Sequence, residues 1–267
     1  MFDLSNCRFA FLDLETTGLS PWFGDRICEV GIVLTEGRRI KSTYQQLVNP
    51  ERPLSPAAAS TNRLTDVELR SAPFFAEVAA QVTSRLQDAV VVCHNAQFDL
   101  QFLDSEFRRL GCEIEIPNLI DTLLLARQAI DRPSYALVSL AETLQVQKVE
   151  AHRALADALT DRAVFFALMD GNLPAGKSVE DFIGVYNSPA WSNDNIQLPV
   201  ELAEAIAGGR RLLITYVDQK GVQTRRWVDP VQVVGLADYI YLRGYCHLRK
   251  AERSFRLDRI VEVRVEV

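Results

Sequence analysis

The stretch FAFLDLETTGLSP, residues 9–21, decides how the first half of the chain is interpreted. Its apolar run, Phe9–Leu12, predicts a buried strand, and Asp13 and Glu15 follow at the end of that run. Residues i and i+2 of a strand point to the same face, so the two carboxylates are expected side by side. Like charges on a buried face repel each other and lose hydration. A divalent cation would offset that cost, because Mg²⁺ and Mn²⁺ prefer carboxylate oxygens.

A second motif, HNAQFD, occupies residues 94–99. His94 and Asn95 end the apolar run AVVVC, and Asp99 opens the next predicted helix. An isolated acid in a first helical turn needs no function, because the helix dipole favours it there. The complete string is too specific for that explanation, so Asp99 is a candidate third carboxylate.

A third motif, HRALADALTD, occupies residues 152–161. His152 precedes a predicted helix and Asp157 lies in its first turns. Histidine titrates near neutrality and can take a proton from an attacking water. Asp161 follows Asp157 by one helical turn and could lie near the site, but a solvated face of the helix is the favoured interpretation. Asp121, before another predicted helix, is interpreted as an N-cap.

Composition excludes several classes of protein. The chain has 267 residues, of which 48% are hydrophobic and 24% charged, as in folded soluble domains. No apolar run approaches the roughly 20 residues of a membrane span, and the first residues lack the pattern of a signal peptide. Five scattered cysteines without a Cys-x-x-Cys pair argue against a thiolate zinc site and predict reduced thiols in a cytoplasmic protein.

The net charge of −6 is unevenly distributed. Residues 205–267 hold 12 basic and 7 acidic residues, whereas residues 1–204 hold 17 and 28. The basic C-terminal part could therefore bind a polyanion, and the acidic part is not expected to do so without cations.

Hydrophobic periodicity predicts two domains. Alternating runs at 27–37 and 39–50 extend the first strand into an antiparallel meander, and strand–helix alternation follows, which indicates a mixed α/β domain. Residues 171–199 are rich in Gly, Pro, Asn and Ser and predict a linker, docked in part through its aromatic residues Phe182, Tyr186 and Trp191.

Six short β runs separated by turns follow and predict a small all-β barrel or sandwich. The runs are RLLITYV, VQTRRWV, VQVVGL, YIYLRGY, RSFRLDRI and VEVRVEV. We therefore expect domains at 1–172 and 205–267, joined by a linker at 173–204.

The three motifs together resemble the DEDDh family of 3′→5′ exonucleases, which includes proofreading-subunit-like and ribonuclease T-like enzymes. The resemblance covers roughly residues 7–170. It implies a ribonuclease-H-like fold, in which helices flank a mixed five-stranded sheet. It also implies two divalent cations, Mg²⁺ or Mn²⁺, and single-stranded DNA or RNA 3′ ends as substrates.

The resemblance assigns a role to each matching residue. Asp13 would contact both cations, Glu15 and Asp157 would hold the one on the nucleophile side, and Asp99 would hold the other. His152 would be the general base. Substrate contacts would come from the loop and pocket residues Thr16, Thr17, Gly18, Leu19, Asn95 and Phe98. Two of these have a structural alternative, since Phe98 suits a core and Asn95 suits a backbone contact.

The C-terminal run YIYLRGYCHLRKAERSFRLDRI, residues 239–260, resembles the WYL domain. Ile240-Tyr241-Leu242 stands where the family has Trp-Tyr-Leu, so the tryptophan is absent. The resemblance implies an Sm/SH3-like barrel that binds single-stranded nucleic acid or a nucleotide-like ligand. The candidate contacts are Tyr216, Arg226, Tyr241, Arg243, Arg253 and Arg256. The alternative is a barrel with core aromatics and solvated arginines.

Three functional hypotheses follow. The first is a two-metal 3′→5′ exonuclease acting on single strands, with DNA favoured. The second is a ligand-responsive nucleic-acid-binding regulator whose nuclease fold is catalytically silent. The third is a nuclease whose rate the C-terminal domain controls. DNA versus RNA preference, pathway and oligomeric state are not predicted by the sequence.

Overall fold

The computed structural model describes residues 6–147, 152–171, 173, 176–186, 196–236 and 239–266. The chain forms two compact units. The first unit comprises Met1–Glu15, Ile27–Pro50 and Leu69–Pro189. The second comprises Thr16–Arg26, Glu51–Glu68 and Ala190–Val267.

A mixed five-stranded sheet organises the first unit. Its order is β3-β2-β1-β4-β5. β2 and β3 pair antiparallel, whereas β1 with β4 and β4 with β5 pair parallel. This confirms the predicted α/β fold and its mixed sheet. The strands are β1 (Arg8–Thr16), β2 (Ile27–Glu36), β3 (Arg39–Leu47), β4 (Val90–Cys93) and β5 (Leu119–Asp121).

The helices lie close to the predicted positions, with one addition. They are α1 (Pro56–Asn62), α2 (Asp66–Arg70), α3 (Phe75–Leu86), α4 (Ala96–Arg109), α5 (Thr122–Ala129), α6 (Leu137–Thr143) and α7 (Ala154–Met169). The addition is α1, because the run NPERPLSP, residues 49–56, predicts a loop that extends to its first residue. Ser55 caps this helix by accepting a hydrogen bond from the Ala58 N–H, and a proline occupies its first position, so its start signal was legible.

Alternation along β1 separates two apolar cores. Phe9 and Phe11 face one core, where their rings lie 5.3 Å and 5.7 Å from that of Phe165 on α7. Ala10, Leu12 and Leu14 belong to the other core, which includes residues of α3 and α4. Each fully buried phenylalanine contributes roughly 1.5–3 kcal/mol through burial. The face of β1 that carries Phe9 and Phe11 also carries the next odd-numbered residues, Asp13 and Glu15.

The second unit contains the C-terminal sheet. Its order is β10-β6-β7-β8-β9, and every pairing is antiparallel. The last strand lies beside the first, as expected for a small all-β domain of five strands. Its elements are α8 (Val200–Ala207), β6 (Leu212–Val217), β7 (Gln223–Leu236), β8 (Tyr239–Cys246), β9 (Ala251–Arg256) and β10 (Ile260–Val265).

Two predictions about these strands were wrong. The runs VQTRRWV and VQVVGL were expected as separate strands, but β7 is one strand of 14 residues. A register shift between Pro230 and Gln232 allows the strand to pass through the proline, which has no N–H to donate. The run RSFRLDRI was expected as a single strand, but β9 ends at Arg256 and the 3₁₀ turn Leu257–Arg259 follows.

Segments from the N-terminal half complete the second unit. The apolar cluster of its sheet also contacts the partly buried side chains of Leu19 and Phe23. Helix α1 packs on β10 and on the 3₁₀ turn Leu257–Arg259. The unit therefore combines two loop segments of the N-terminal half with the C-terminal sheet.

The segment after α7 docks on the first unit. Leu119 and Gly184 form a reciprocal backbone bridge, with both N–H···O distances at 2.8 Å. Tyr186 is 8% exposed, and Phe182 packs against the apolar core beneath α7. Trp191, the third aromatic residue expected to dock, lies outside the described residues. The domain boundaries at 172 and 205 stay a prediction.

In the part of the chain that the structure describes, no helix is both long enough and apolar enough to cross a membrane.

Candidate active site

Three carboxylates meet where β1 leaves the apolar core. Oxygens of Asp13, Glu15 and Asp157 all lie within 4.8 Å of one another. Glu15 is 8% exposed, and the other two are partly buried. Asp13 and Glu15 come from one face of β1, and Asp157 comes from the first turns of α7. The structure therefore brings the acids of the first and third motifs together.

Asp99 approaches the same strand from the first turn of α4. Its Oδ1 accepts a hydrogen bond of 2.9 Å from the backbone N–H of Leu14, which lies between Asp13 and Glu15. Asp99 is 3% exposed. All four predicted ligands thus converge on one strand end.

The backbone at the start of α7 places His152 and Asp157. His152 has a left-handed backbone, with φ of 65°, and its N–H donates to Asp157 Oδ2 at 2.8 Å. Gly31 of β2 makes the approach of this segment possible, because a Cβ there would lie 2.2 Å from the carbonyl carbon of Ala154. The imidazole of His152 is exposed, as expected of a residue in the loop that enters the helix.

A buried ion pair anchors the same helix start. Glu29 of β2 is fully buried and accepts from Arg153 Nη2 at 2.7 Å and from the Ala154 N–H at 3.1 Å. These hydrogen bonds, together with one from Gln45, lower the pKa of Glu29 in spite of its burial. Glu29 was not among the predicted site residues, although an acid inside the apolar run ICEVGIV is a visible anomaly in the sequence.

The four converging carboxylates show the opposite electrostatics. Burial, followed by the charges of Asp99, Asp157 and Glu15, raises the pKa of Asp13 well above its usual value. Burial likewise raises the pKa of Glu15, of Asp99 and of Asp157. The charges of Asp157, Glu29 and Asp99 add to the shift of Glu15, and those of Asp161 and Asp121 add to the shift of Asp99. The hydrogen bonds and charges that the protein supplies therefore compensate the four acids only in part.

Hard divalent cations suit this donor set. Every donor is a carboxylate oxygen, three of the four residues can place an oxygen around one point, and the unfavourable charge requires a positive partner. The site fits Mg²⁺ or Mn²⁺ by ligand chemistry.

Two further aspartates were judged from sequence, one correctly. Asp121 is an N-cap as predicted, accepting from the N–H groups of Leu123 and Leu124. It also accepts from the N–H of Asn95, at 3.2 Å, and so links α5 to the second motif. Asp161 was expected on a solvated face, which is wrong, since it is 2% exposed. It lies one helical turn after Asp157, on the face of α7 that meets the sheet.

The predicted substrate loop is held by internal hydrogen bonds. Thr16 donates through Oγ1 to the carbonyl oxygen of Gly18 at 2.6 Å. Thr17 is fully buried, and its hydroxyl donates to Asp25 Oδ1 at 3.3 Å. Leu19 packs against the apolar cluster of the second unit. The hydroxyl of Thr17 therefore stabilises the loop.

The two predicted pocket residues of the second motif, Asn95 and Phe98, are both partly buried. Asn95 has a left-handed backbone, with φ of 65°, and begins α4 without a side-chain capping bond. Phe98 is partly buried against the core that includes Phe102, with ring centroids 5.2 Å apart. Much of the Phe98 side chain is therefore part of the apolar core, as the structural alternative for this residue predicts.

The predicted ligand contacts of the second unit fall into two groups. Tyr216 packs edge-on against Phe255, and the guanidinium of Arg226 lies 5.7 Å from both rings. Arg256 lies over the ring of Tyr239 at 3.2 Å and pairs with Asp258. These side chains already have partners within the sheet.

The remaining candidates are more accessible. Tyr241 is partly exposed on β8, whereas Arg243 and Arg253 are exposed. Both arginines border one groove of about 380 Å³, whose lining is Val231, Gln232, Arg243, Gly244, Glu252, Arg253 and Ser254.

Comparison with known proteins places both halves of the chain. The profile of the RNase T exonuclease family matches residues 10–165, and that of the WYL domain matches residues 199–265. The chain is 32% identical over 199 residues to the DNA polymerase III subunit epsilon of Rickettsia conorii, covering 72% of this chain and 86% of that protein.

A second relative is much longer. The chain is 34% identical over 180 residues to a PolC-type DNA polymerase III of Caldanaerobacter subterraneus, covering 67% of this chain but only 13% of the polymerase. Among solved structures, Exonuclease X in complex with 5′ overhanging duplex DNA superposes with a TM-score of 0.53 and 27% identity, covering 66% of this chain and 96% of that one. With more than half of its length matched by the exonuclease profile, the chain belongs to the RNase T-type exonuclease family and carries a C-terminal WYL domain.

Proposed function

We propose that this chain is a 3′→5′ exonuclease that depends on two divalent cations and hydrolyses single-stranded nucleic acid, DNA in preference, from the 3′ end. The observation that carries the proposal is the convergence of four acids on the end of β1, three of them with oxygens within 4.8 Å of one another. Membership of the exonuclease family and the likeness to a DNA-bound exonuclease support it.

The acids would divide the cations between them. Asp13, central on the strand, would contact both, while Glu15 and Asp157 would hold the cation beside the attacking water and Asp99 would hold the other. When bound, the cations would activate that water and stabilise the negative charge on the leaving oxygen. The carboxylates would hold these cations, and the positive charge would favour their ionised form and so offset the rise that burial and repulsion cause in the pKa values of Asp13 and Glu15.

His152 would act as general base. Two observations support this role: the backbone N–H of His152 donates to Asp157 Oδ2, and its imidazole is exposed. A ring nitrogen of His152 would accept the proton from the attacking water and release it to solvent.

Recognition of the substrate would depend on shape and stacking. Thr16, Gly18 and Leu19 would meet the terminal nucleotide, and Asn95 and Phe98 would line its pocket. Cleavage at a strand end requires that end to be unpaired, and stacking and backbone contacts tolerate any base sequence.

The WYL domain would bind nucleic acid or a nucleotide-like regulator. Arg243 and Arg253 support this role, because both border one groove and neither has an ion-pair partner among the described residues. Guanidinium groups suit phosphate oxygens.

A direct assay tests the nuclease. DNA and RNA oligonucleotides, single or double stranded and labelled at the 3′ or 5′ end, are incubated with Mg²⁺, Mn²⁺ or chelator. We expect shortening of single strands from the 3′ end, abolished by chelator and reduced at least about 10³-fold by Asp13→Ala, since loss of a shared ligand removes several kcal/mol of stabilisation. The exposed Asp131→Ala is the matched control. Equal rates for Asp13→Ala and wild type would refute the site.

The silent-fold alternative makes a different prediction. The arginine-lined groove favours it, because a binding site independent of the acids could serve a regulator. Binding of oligonucleotides at saturating Mn²⁺ without any cleavage would support this alternative over the nuclease.

A further inference from the structure

Asp161 is a buried acid that the proposed mechanism does not use. It lies on α7 one turn after Asp157 and is 2% exposed. Its Oδ1 accepts a hydrogen bond of 2.5 Å from the hydroxyl of Thr122. Its Oδ2 is buried and has no hydrogen-bond partner among the residues that the structure describes. A buried carboxylate oxygen without a donor is costly, so its retention calls for an explanation.

The residues around Thr122 leave Asp161 with only a shared hydrogen-bond donor. The Thr122 hydroxyl also lies 3.2 Å from the carbonyl oxygen of Cys93 and 3.1 Å from His94 Nδ1. His94 Nε2 lies 3.0 Å from the Tyr135 carbonyl, which can only accept, so the ring proton resides on Nε2 and Nδ1 is an acceptor. One hydroxyl proton is therefore shared among three acceptors. Half of the hydrogen-bonding capacity of Asp161 is left unused.

The free oxygen belongs electrostatically to the acid cluster. The charge of Asp161 contributes to the raised pKa of Asp13 and of Asp99, and the charges of Asp121 and Asp157 act on Asp161 in turn. Asp161 is therefore within electrostatic reach of three of the four acids at the end of β1. A salt bridge that could neutralise it is absent from the described part of the chain.

On the basis of the function proposed above, we propose that Asp161 is a fifth acid of the cation site. Its carboxylate adds negative charge to the site, and its Oδ2 binds the hydration shell of the cations. Four carboxylates only balance two divalent cations, and a fifth leaves the loaded site with an excess negative charge. Such a site would retain its cations before the phosphate of a substrate arrives. Asp161 is a positioning residue in this account and does not touch the reacting phosphate.

The proposal predicts opposite effects on two properties. Asp161→Asn keeps the shape and an acceptor for Thr122 but removes the charge. The affinity for Mn²⁺ should fall about 10–100-fold, as for other outer-shell partners of a metal site. The metal-free protein should become more stable, because a buried like charge is removed, with a rise in melting temperature of about 2–4 °C. Residues that serve only as structural hydrogen-bond partners change stability in the opposite direction.

The test uses the full chain, freed of metal by chelator and dialysis. Mn²⁺ is titrated by calorimetry and by electron paramagnetic resonance, and thermal unfolding is recorded with and without Mn²⁺. Burial and neighbouring charge raise the pKa of Asp161 to about 7, so the measurements are made near pH 8, where the wild-type side chain is ionised. The control is Asp170→Asn, which removes the same charge from an exposed side chain paired with Arg38 just after α7.

Each outcome decides the matter. Weaker Mn²⁺ binding with a higher metal-free melting temperature, and neither effect in the control, supports the fifth acid. Unchanged Mn²⁺ affinity overturns it, and so does a lower melting temperature or failure to fold, because both indicate a purely structural role. If the wild-type chain itself does not bind Mn²⁺, the proposed function fails instead, and the two failures remain distinguishable.

Discussion

The end of β1 and the C-terminal sheet treat charge in opposite ways. At the end of β1, buried like charges gather and raise one another's pKa values. On the C-terminal sheet, opposite charges pair, and most of the paired side chains are exposed. Those pairs are Arg211 with Asp229 and Glu266, Arg225 with Glu262, Arg264 with Glu262, and the partly buried Arg256 with Asp258.

The contrast distinguishes buried charges that a ligand would compensate from surface charges that neighbouring side chains already compensate. Exposed pairs contribute roughly 0–1 kcal/mol each and can be exchanged freely. Buried unpaired acids destabilise a fold and persist where a ligand compensates them. Arg243 and Arg253 differ from the other charges of their sheet, because neither has an ion-pair partner among the described residues. In this respect they resemble the buried acids at the end of β1.

The largest expected effect concerns the base at the acid cluster. His152→Ala should lower the rate of cleavage about 10²–10⁴-fold, because the attacking water loses its proton acceptor. Mn²⁺ affinity should stay near the wild-type value, since the backbone N–H that binds Asp157 remains. His247→Ala, which alters a paired histidine of the C-terminal sheet, is the control. A rate within threefold of wild type, roughly 0.6 kcal/mol, would show that the base lies elsewhere.

The next effect tests whether buried pairing differs from surface pairing. Arg153→Met leaves Glu29 fully buried with only its bonds to Gln45 and the Ala154 N–H. We expect a loss of about 2–3 kcal/mol in the free energy of unfolding, less than for a completely buried pair because Arg153 is 40% exposed. Urea denaturation measures it.

The matched variant is Arg264→Met, whose pair with Glu262 is exposed. Its cost should stay below about 1 kcal/mol. Equal costs for the two variants would remove the distinction between the regions.

A smaller effect concerns acid stability. The pKa of His94 is lowered to about 4, mainly by burial and in part by the charge of Arg127, so the ring is neutral in the folded chain. The unfolded chain takes up the proton below about pH 6.5. Stability from this group is therefore complete above that pH and is lost as the pH falls towards 4. Between about pH 7.5 and pH 5, the stability advantage of wild type over His94→Gln should shrink by about 1–2 kcal/mol.

Denaturation of both proteins across this pH range gives the measurement. His94→Gln does not titrate there, so other acids cancel in the comparison. A difference that is independent of pH would mean that His94 binds its proton equally well in the folded and the unfolded chain, so that folding does not lower its pKa.

The smallest effect concerns the unpaired arginines. Arg243→Ala should weaken binding of single-stranded DNA by about 1 kcal/mol and reduce the slope of log affinity against log salt by about 1, as for a single phosphate contact. Fluorescence anisotropy over a range of NaCl concentrations measures both. Arg225→Ala, an exposed arginine that pairs with Glu262, should leave the slope unchanged.

Local pattern predicted most of the fold and the site. Alternation placed Phe9 and Phe11 in the core, and the residues that follow on the same face became the acids of the cluster. For Asp161, the sequence offered two interpretations, and the favoured one, a solvated face, was wrong. Residues four apart on a helix differ by about 40°, so the face that carries Asp157 also carries Asp161. The hydrogen bond that Asp161 accepts in the interior comes from Thr122, 39 residues away in the chain, and motif spacing alone does not reveal that contact.

The loop after Glu15 shows a limit of a different kind. Its Thr-Thr-Gly pattern predicted contacts with a nucleotide, yet Thr17 is fully buried and bonded to Asp25. That arrangement depends on Gly18, where a Cβ would lie 2.3 Å from Asp25 Oδ2. A motif reports which residue types are present, and tertiary contacts decide which of their atoms remain free.

The interleaving of the two compact units has a practical consequence for dissecting the molecule. The polypeptide passes from one unit to the other five times, after Glu15, Arg26, Pro50, Glu68 and Pro189. Cutting at the linker would strand Thr16–Arg26 and Glu51–Glu68 without the sheet against which Leu19 and Phe23 pack. A nuclease shortened in this way would expose the apolar side chains of Leu19 and Phe23, so a change in its activity would report damage to these segments as well as the loss of the C-terminal sheet. Because the chain alternates between the two units, point substitutions are a cleaner way than truncation to separate the functions of the two units.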